Sequence, residues 1–550
     1  MKPLNAFRTL LLSALLAVSS AWSQHGDHSH SGHPPAPEQL GNVSFATSCS
    51  NTAQAEFNRA MALLHSFWFQ PARESFARVL ELDPACSMAY WGIAVTALGN
   101  PFAWPPNAAA VQTSAEALGS ARRMPAKSAR EREYIEAFST YVDNADTREH
   151  RDRALALENA MRVLVDRYPD DDEARIYLAL VLNVTAVPTD KTFAKQREAA
   201  SILEPLFDEN PDHPGIAHYL VHTHDYTDLA DAGLEAARAY ANIAPSVPHA
   251  LHMPSHIFSR LGLWSEMIAS NIASYEAAKA ELGESTFGIG TYDALHAMDY
   301  LVYGYLQQAQ DRAAQAVVDE LATIRGVDVE NLPAAYAFAA VPARYALERG
   351  DWQRAAKLEL APTSLAWNRF PQAEAILVFA RGLGAARSGD VARARDSVSR
   401  LEALRSALAD SGAGYWVGQT GFQVMALNAW IALAEGRRED ALPLMIAAAD
   451  AEDSSDKHPV TPGNVAPSRE QLGFLLLELG EPERALQEFE RSLQRDPNRL
   501  RGLFGAARAA ELSNNAAAAR QHYARLLELT ASRDTEREEI ANASRFLSIG

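Results

Sequence analysis

The residues best suited to chemistry crowd between Pro211 and Phe258, a stretch that begins PDHPGIAHYLVHTHDY and ends APSVPHALHMPSHIF. Seven of the sixteen histidines lie there. Four of them form two copies of one spacing, His218 with His222 and His252 with His256. Residues four apart share a helix face, so each pair aims two imidazoles at one point. His249 within the stretch and His296 beyond it are further candidate ligands. Imidazoles with few acids among them suit Zn²⁺ or Cu²⁺, and after those Ni²⁺ or Fe²⁺, in preference to Ca²⁺ or Mg²⁺. The cluster contains no cysteine, which excludes a Cys-rich structural zinc site, while Met253 and Met298 offer thioethers to copper. Asp225, Asp293 and Asp299 are the acids that hydrolysis at such a metal would draw on. No G-x-S-x-G, phosphate-cradling glycine loop or H-E-x-x-H is present. His65 stands alone in the sequence and is read as structural.

The two pairs are related by one interval, from 218 to 252 and from 222 to 256, and Pro211 with Pro245 and Pro214 with Pro248 keep it too. Such an interval is the period of a repeat. From Gln54 onward the apolar residues follow a helical period: Phe57, Ala60, Met61, Leu64 and Phe67 trace one face, and Ala72, Phe76, Val79 and Leu82 a second, stopped by Asp83-Pro84. No alternating strand runs occur, so the chain is expected to be all-α with no sheet.

The small residues of these units carry a resemblance. Ala60, Ala72 and Phe76 sit at the eighth, twentieth and twenty-fourth places of a unit, and Gly473, Gly480, Ala485, Phe489 and Pro497 at the eighth, fifteenth, twentieth, twenty-fourth and thirty-second places of another. Ala519 and Tyr523 repeat Ala485 and Phe489 one period later. The chain thus resembles the tetratricopeptide-repeat family, in particular exported bacterial members with a His-rich central segment. The resemblance implies a right-handed helical solenoid of nine to twelve helix pairs with a concave groove. It further implies that His218 and His252, at the fifth place, and His222 and His256, at the ninth, line that groove, with His249 at the second place beside them. His224, at the eleventh, falls nearer the helix packing surface, and Asp225 and Ser259 share the twelfth. Asp293, His296 and Tyr300 make a second candidate wall on the next first helix. Pro254 interrupts the second pair, where a proline delays or kinks a helix.

Residues 1–23 read as an export signal: Lys2 and Arg8, an apolar run from Leu10 to Val18, and Ala21-Trp22-Ser23 as the cleavage site. No other run has the apolar length of a membrane span. The mature protein is therefore expected outside the cytoplasm, periplasmic or extracellular, where the two cysteines, Cys49 and Cys86, pair as a disulfide. Residues 24–50 read as a flexible tail in which His25, His28, His30 and His33 chelate metal loosely. The main array then spans 51–456 with the His-rich groove at 213–300, residues 457–467 form a linker, and 468–550 a C-terminal repeat pair.

At 550 residues, with 48% hydrophobic and 22% charged residues, the chain is a folded one, built as several domains or as one extended repeat array. Its net charge of −19 argues against a nucleic-acid partner. Three functions stay open: a scaffold whose groove holds a transition metal, Zn or Cu, and meets a protein partner; a scaffold for a protein or peptide partner alone; and a His-ligated metalloenzyme.

Overall fold

The computed structural model describes residues 38–124, 127–282 and 288–549. Helices run along the whole of it, each packed against its sequence neighbour, from Asn51–His65 with Phe69–Leu82 to Leu500–Leu512 with Ala516–Leu529. First helices also pack on the first helices of adjoining pairs, Pro371–Arg387 on Gly414–Ala434 for example, which is what makes the array a solenoid. Among the described residues one strand pair occurs, two residues long and parallel, Ile289–Gly290 beside Gly326–Val327. The expectation of no sheet misses it because two residues carry no alternation to read.

The small residues do the work their places imply. A Cβ on Gly92 would lie 2.3 Å from Phe76, and one on Gly505 equally close to Phe489, which also fills the space over Gly473. Each phenylalanine is fully buried between helices that approach closely because the facing residue has no side chain.

The solenoid coils far enough to close on itself. Asn51–His65 packs on Pro214–His224, and Tyr292–Gln307 on Leu500–Leu512. Buried Arg499 fastens the second closure, donating to Glu470 at 2.9 Å, Glu348 at 2.7 Å and the Tyr303 hydroxyl at 2.8 Å. Everything from Gln39 onward forms one compact unit, so residues 468–550 are not a separate body. Residues 457–467 are not a linker either. They are packed inside the coil, where Arg344 donates to Thr461 Oγ1 and the Gly463 carbonyl at 2.7 and 2.8 Å while pairing with Asp299.

The boundary of the tail also moves. From Gln39 the chain lies on the array, Gln39 N donating to Ser246 Oγ, and Phe45 is wholly buried among Phe57, Trp91 and Tyr134. One aromatic side chain outweighs the polar character of its neighbours. Cys49 and Cys86 form a disulfide across 37 residues, fastening this segment to the start of Ser87–Leu98. A loop of that length stabilises by about 3–4 kcal/mol. The expected export signal and the histidines from His25 to His33 lie outside the described residues.

Asp311 closes the far end, accepting from Arg537 Nε at 3.1 Å and Thr535 Oγ1 at 2.9 Å, with Arg349 at 3.3 Å. Burial alone would push its carboxyl up, but these donors outweigh burial and hold it below the usual carboxylate range. Its stabilising share is therefore present above the ordinary Asp value of about 3.9 and disappears as pH falls through the lower folded value. Asp311→Ala is expected to cost about 3–5 kcal/mol at neutral pH. Hydrogen exchange should show lost protection in Glu538–Ile549, and the gap from wild type should close in strong acid.

Candidate metal centre

Pro214 opens the helix Pro214–His224, its missing N–H costing nothing in the first turn, and His213 caps it by accepting from Ile216 N. One repeat on, Pro248 opens Pro248–His252 and Pro254 opens Pro254–Leu261, with Met253 between them. The second proline thus starts a new helix, yet Met253 keeps αR geometry and the second pair stays together. The Nε2 atoms of His252 and His256 are 3.1 Å apart.

The six candidate ligands are all buried. They gather as two triads, His218 with His222 and His249, and His252 with His256 and His296; within each, one nitrogen per residue lies within 4.8 Å of the others. The two i, i+4 pairs fall in separate groups, because His249 leans back to the first pair and His296 comes up to the second. The triads adjoin: ring centroids are 6.0 Å apart for His222 and His256, and 6.3 Å for His249 and His252. Nor do the histidines line an open groove. Phe102 stacks on His222 at 3.8 Å, Phe67 meets His218 at 4.4 Å, and Tyr300 meets His252 at 4.6 Å. Phe67 holds φ 54, a conformation that a bulky residue keeps only when its surroundings enforce it.

Polar partners orient the rings from behind. His218 Nδ1 lies 2.6 Å from the His65 carbonyl, His252 Nδ1 2.7 Å from Asn271 Oδ1, and His256 Nδ1 3.0 Å from Asp225 Oδ2. The Asn271 amide nitrogen is itself committed to the Met267 carbonyl, so its oxygen faces the histidine. Each of these Nδ1 atoms faces an acceptor and must carry the proton, which leaves each Nε2 with a lone pair. The Nε2 atoms of His218, His222 and His249 are buried without any hydrogen-bond partner. Burial and mutual repulsion hold His218, His222, His249 and His296 well below the usual imidazole value, and His252 at about 3. The chamber is therefore lined by neutral imidazoles.

The remaining candidates are placed elsewhere or otherwise engaged. His224 turns toward Glu204 of the preceding helix, Ala194–Glu209, at 3.5 Å. Met253 and Met298 pack in the hydrophobic core. Ser259 donates to the carbonyl of His256. Of the three acids, Asp299 pairs with Arg344, and Asp293 lies by Glu281 and Tyr292, its carboxyl pushed up to about 7 by burial and by the Glu281 charge. Only Asp225 adjoins the triads, and it is bound by Arg260 Nε at 2.9 Å and Lys457 Nζ at 3.0 Å as well as His256.

His65, expected to stand alone, is part of a third group with Glu173 and His213. Glu173 accepts from His65 at 2.9 Å and His213 at 3.1 Å, and the other His65 nitrogen meets the Tyr219 hydroxyl at 3.0 Å. Every donor there has its acceptor, so this group is a closed hydrogen-bond network that fixes the carbonyl behind His218. Sequence reading missed Glu173, Asn271, Arg260 and Lys457, whose partners lie 19 to 232 residues away. Asp225→Ala leaves two cations buried and unpaired, and should lower the unfolding free energy by about 3–5 kcal/mol in denaturant titration. Ser259→Ala, which removes one donor to a helix carbonyl, should cost no more than about 1 kcal/mol in the same assay.

Residues 466–499 match the tetratricopeptide repeat family, in the phase that puts Gly473 at the eighth place. No curated protein matches the chain. Among solved structures it is similar to the APC/C hetero-tetramer Cut9-Hcn1, at 11% identity and a TM-score of 0.32 over 90% of this chain and 83% of that one. It is also similar to the P58(IPK) TPR domain, at 11% identity and a TM-score of 0.20 over 84% of this chain and 99% of that one. With its stacked helix pairs, glycine-to-phenylalanine contacts and the matched unit at 466–499, the chain is an all-α solenoid that carries a tetratricopeptide repeat.

Proposed function

We propose that this protein is an exported tetratricopeptide-type scaffold that encloses a transition metal, Zn or Cu, in the histidine chamber. The observation that carries the reading is the set of three buried, unpartnered Nε2 atoms of His218, His222 and His249. A buried acceptor left without a partner costs about 1–3 kcal/mol, and three of them converging in one place is a cost that an ion bound at about 2.0–2.1 Å removes. The proton-bearing Nδ1 atoms held by His65, Asn271 and Asp225 are the supports that metal-binding histidines ordinarily have. Neutral nitrogen donors favour Zn or Cu over the oxygen-seeking cations. A protein partner belongs to the same proposal, on the outer faces of the coil, since the inner side at the histidines is covered by Phe67, Phe102 and Tyr300.

Calorimetric titration of the tag-free protein with Zn²⁺ and Cu²⁺ tests the reading. Replacing His218 and His222 by Ala, or His252 and His256, should remove tight binding at the affected triad, and deleting residues 25–33 should remove weak sites alone. Bound metal should also raise the melting temperature, the gain in stability being about 2.7 kcal/mol at a hundredfold excess over Kd. Tight binding unchanged in both double variants would leave the protein-partner scaffold in its place.

A further inference from the structure

We infer that the chamber holds two ions side by side, one on each triad, bridged by one small anion from solution. The inference rests on the metal reading above and goes past it in stoichiometry and in the ligand it adds.

Each triad shows its own sign of an ion. In the first, the three Nε2 atoms are buried and unpartnered. In the second, His252 and His256 place their Nε2 atoms 3.1 Å apart while the Nδ1 of each faces an acceptor, Asn271 and Asp225. With both protons on Nδ1, the two Nε2 atoms present lone pairs to each other and have no proton to share. Two lone pairs at that separation repel unless a cation lies between them, and two nitrogens on one ion at about 2.0–2.1 Å stand roughly 3.0–3.4 Å apart. His296 supplies the third nitrogen, its ring 4.4 Å from that of His252. Neither set of three borrows a ligand from the other, so one ion leaves one set unexplained.

The charges call for the anion. All six ligands are neutral, and the acid that adjoins them, Asp225, is already matched by Arg260 and Lys457. Two divalent ions would therefore bring four positive charges into a dry interior, which is costly unless a counter-ion comes with them. Each ion on three nitrogens has a fourth position open. The triads adjoin at 6.0 Å between the rings of His222 and His256, and Phe67, Phe102 and Tyr300 crowd the walls, so the space between suits a ligand of one or two heavy atoms. Hydroxide fits: a bound water releases its proton to solvent and the oxygen links both ions, metal binding lowering the water's pKa toward neutrality.

Copper distinguishes the outcomes. The full chain, with His25→Ser, His28→Ser, His30→Ser and His33→Ser to silence the tail, is loaded with Cu²⁺, freed of excess and analysed by mass spectrometry and electron paramagnetic resonance. Two coppers per chain with well under two spins are expected, because a shared hydroxide couples the two unpaired electrons. His296→Gln and His249→Gln should each leave one copper with a full single-spin signal, their folding checked by circular dichroism. Two coppers with two full spins would overturn the bridge, and one copper in the parent would overturn the pair while leaving the metal reading intact. No copper would overturn both. The spin count of the parent protein decides the matter even if a variant fails to fold.

Discussion

Asp225 is the constraint on which the rest of the site depends. A carboxylate withdrawn from water costs several kcal/mol unless opposite charge and hydrogen bonds meet it. Burial would push this carboxyl up, but Lys457 and Arg260 outweigh that and hold it well below the usual range. Its three partners come from two parts of the coil, Arg260 and His256 sharing the helix Pro254–Leu261. Arg260 belongs to the next repeat, Lys457 lies 232 residues on, and His256 is a member of the second triad. Fixing one carboxylate therefore sets the angle between two repeats, the seating of residues 457–467 over the chamber and the orientation of one imidazole. Arg344, bound to Asp299, Thr461 and Gly463, fastens the same segment a few residues further along. Remove either anchor and a stretch without regular structure loses its reason to lie inside.

Much of this was legible in the sequence, and the limit of legibility has a physical cause. The helix pairs, the small residues opposite Phe76 and Phe489 and the clustering of six histidines follow from spacing within one or two repeats, where neighbours in the chain are neighbours in space. The disulfide was expected because the chain has two cysteines and reads as exported. The closure of the coil does not, because it depends on the small rotation from each repeat to the next, summed over many. His65 looked isolated for that reason: its partners Glu173 and Tyr219 are 108 and 154 residues away. Lys457 and its neighbours, rich in proline and polar residues, carried the local signature of a linker, while their burial is decided by Asp225 and Asp299 far upstream. Phe45 shows the same limit on a smaller scale, one apolar residue in a polar segment finding a cleft that no local pattern announces.

The split into triads explains why a periodic sequence produced a site whose full set of histidines is not periodic. Each triad takes an i, i+4 pair from one first helix position and a single histidine from the following one. The pairs recur with the repeat, but the third histidine follows at unequal intervals, from 218 to 249 in one triad and from 252 to 296 in the other. The longer interval takes in the helix Trp264–Leu282, and Tyr292–Gln307 still packs on Pro248–His252. What coordination chemistry requires is the position of a nitrogen, and a solenoid delivers positions by stacking first helices at a nearly constant distance whatever the length of chain between them. Repeats can therefore vary their connections and still build the same three-nitrogen corner twice. Two such corners made by one stacking step must lie next to each other, so their adjacency follows from the fold itself.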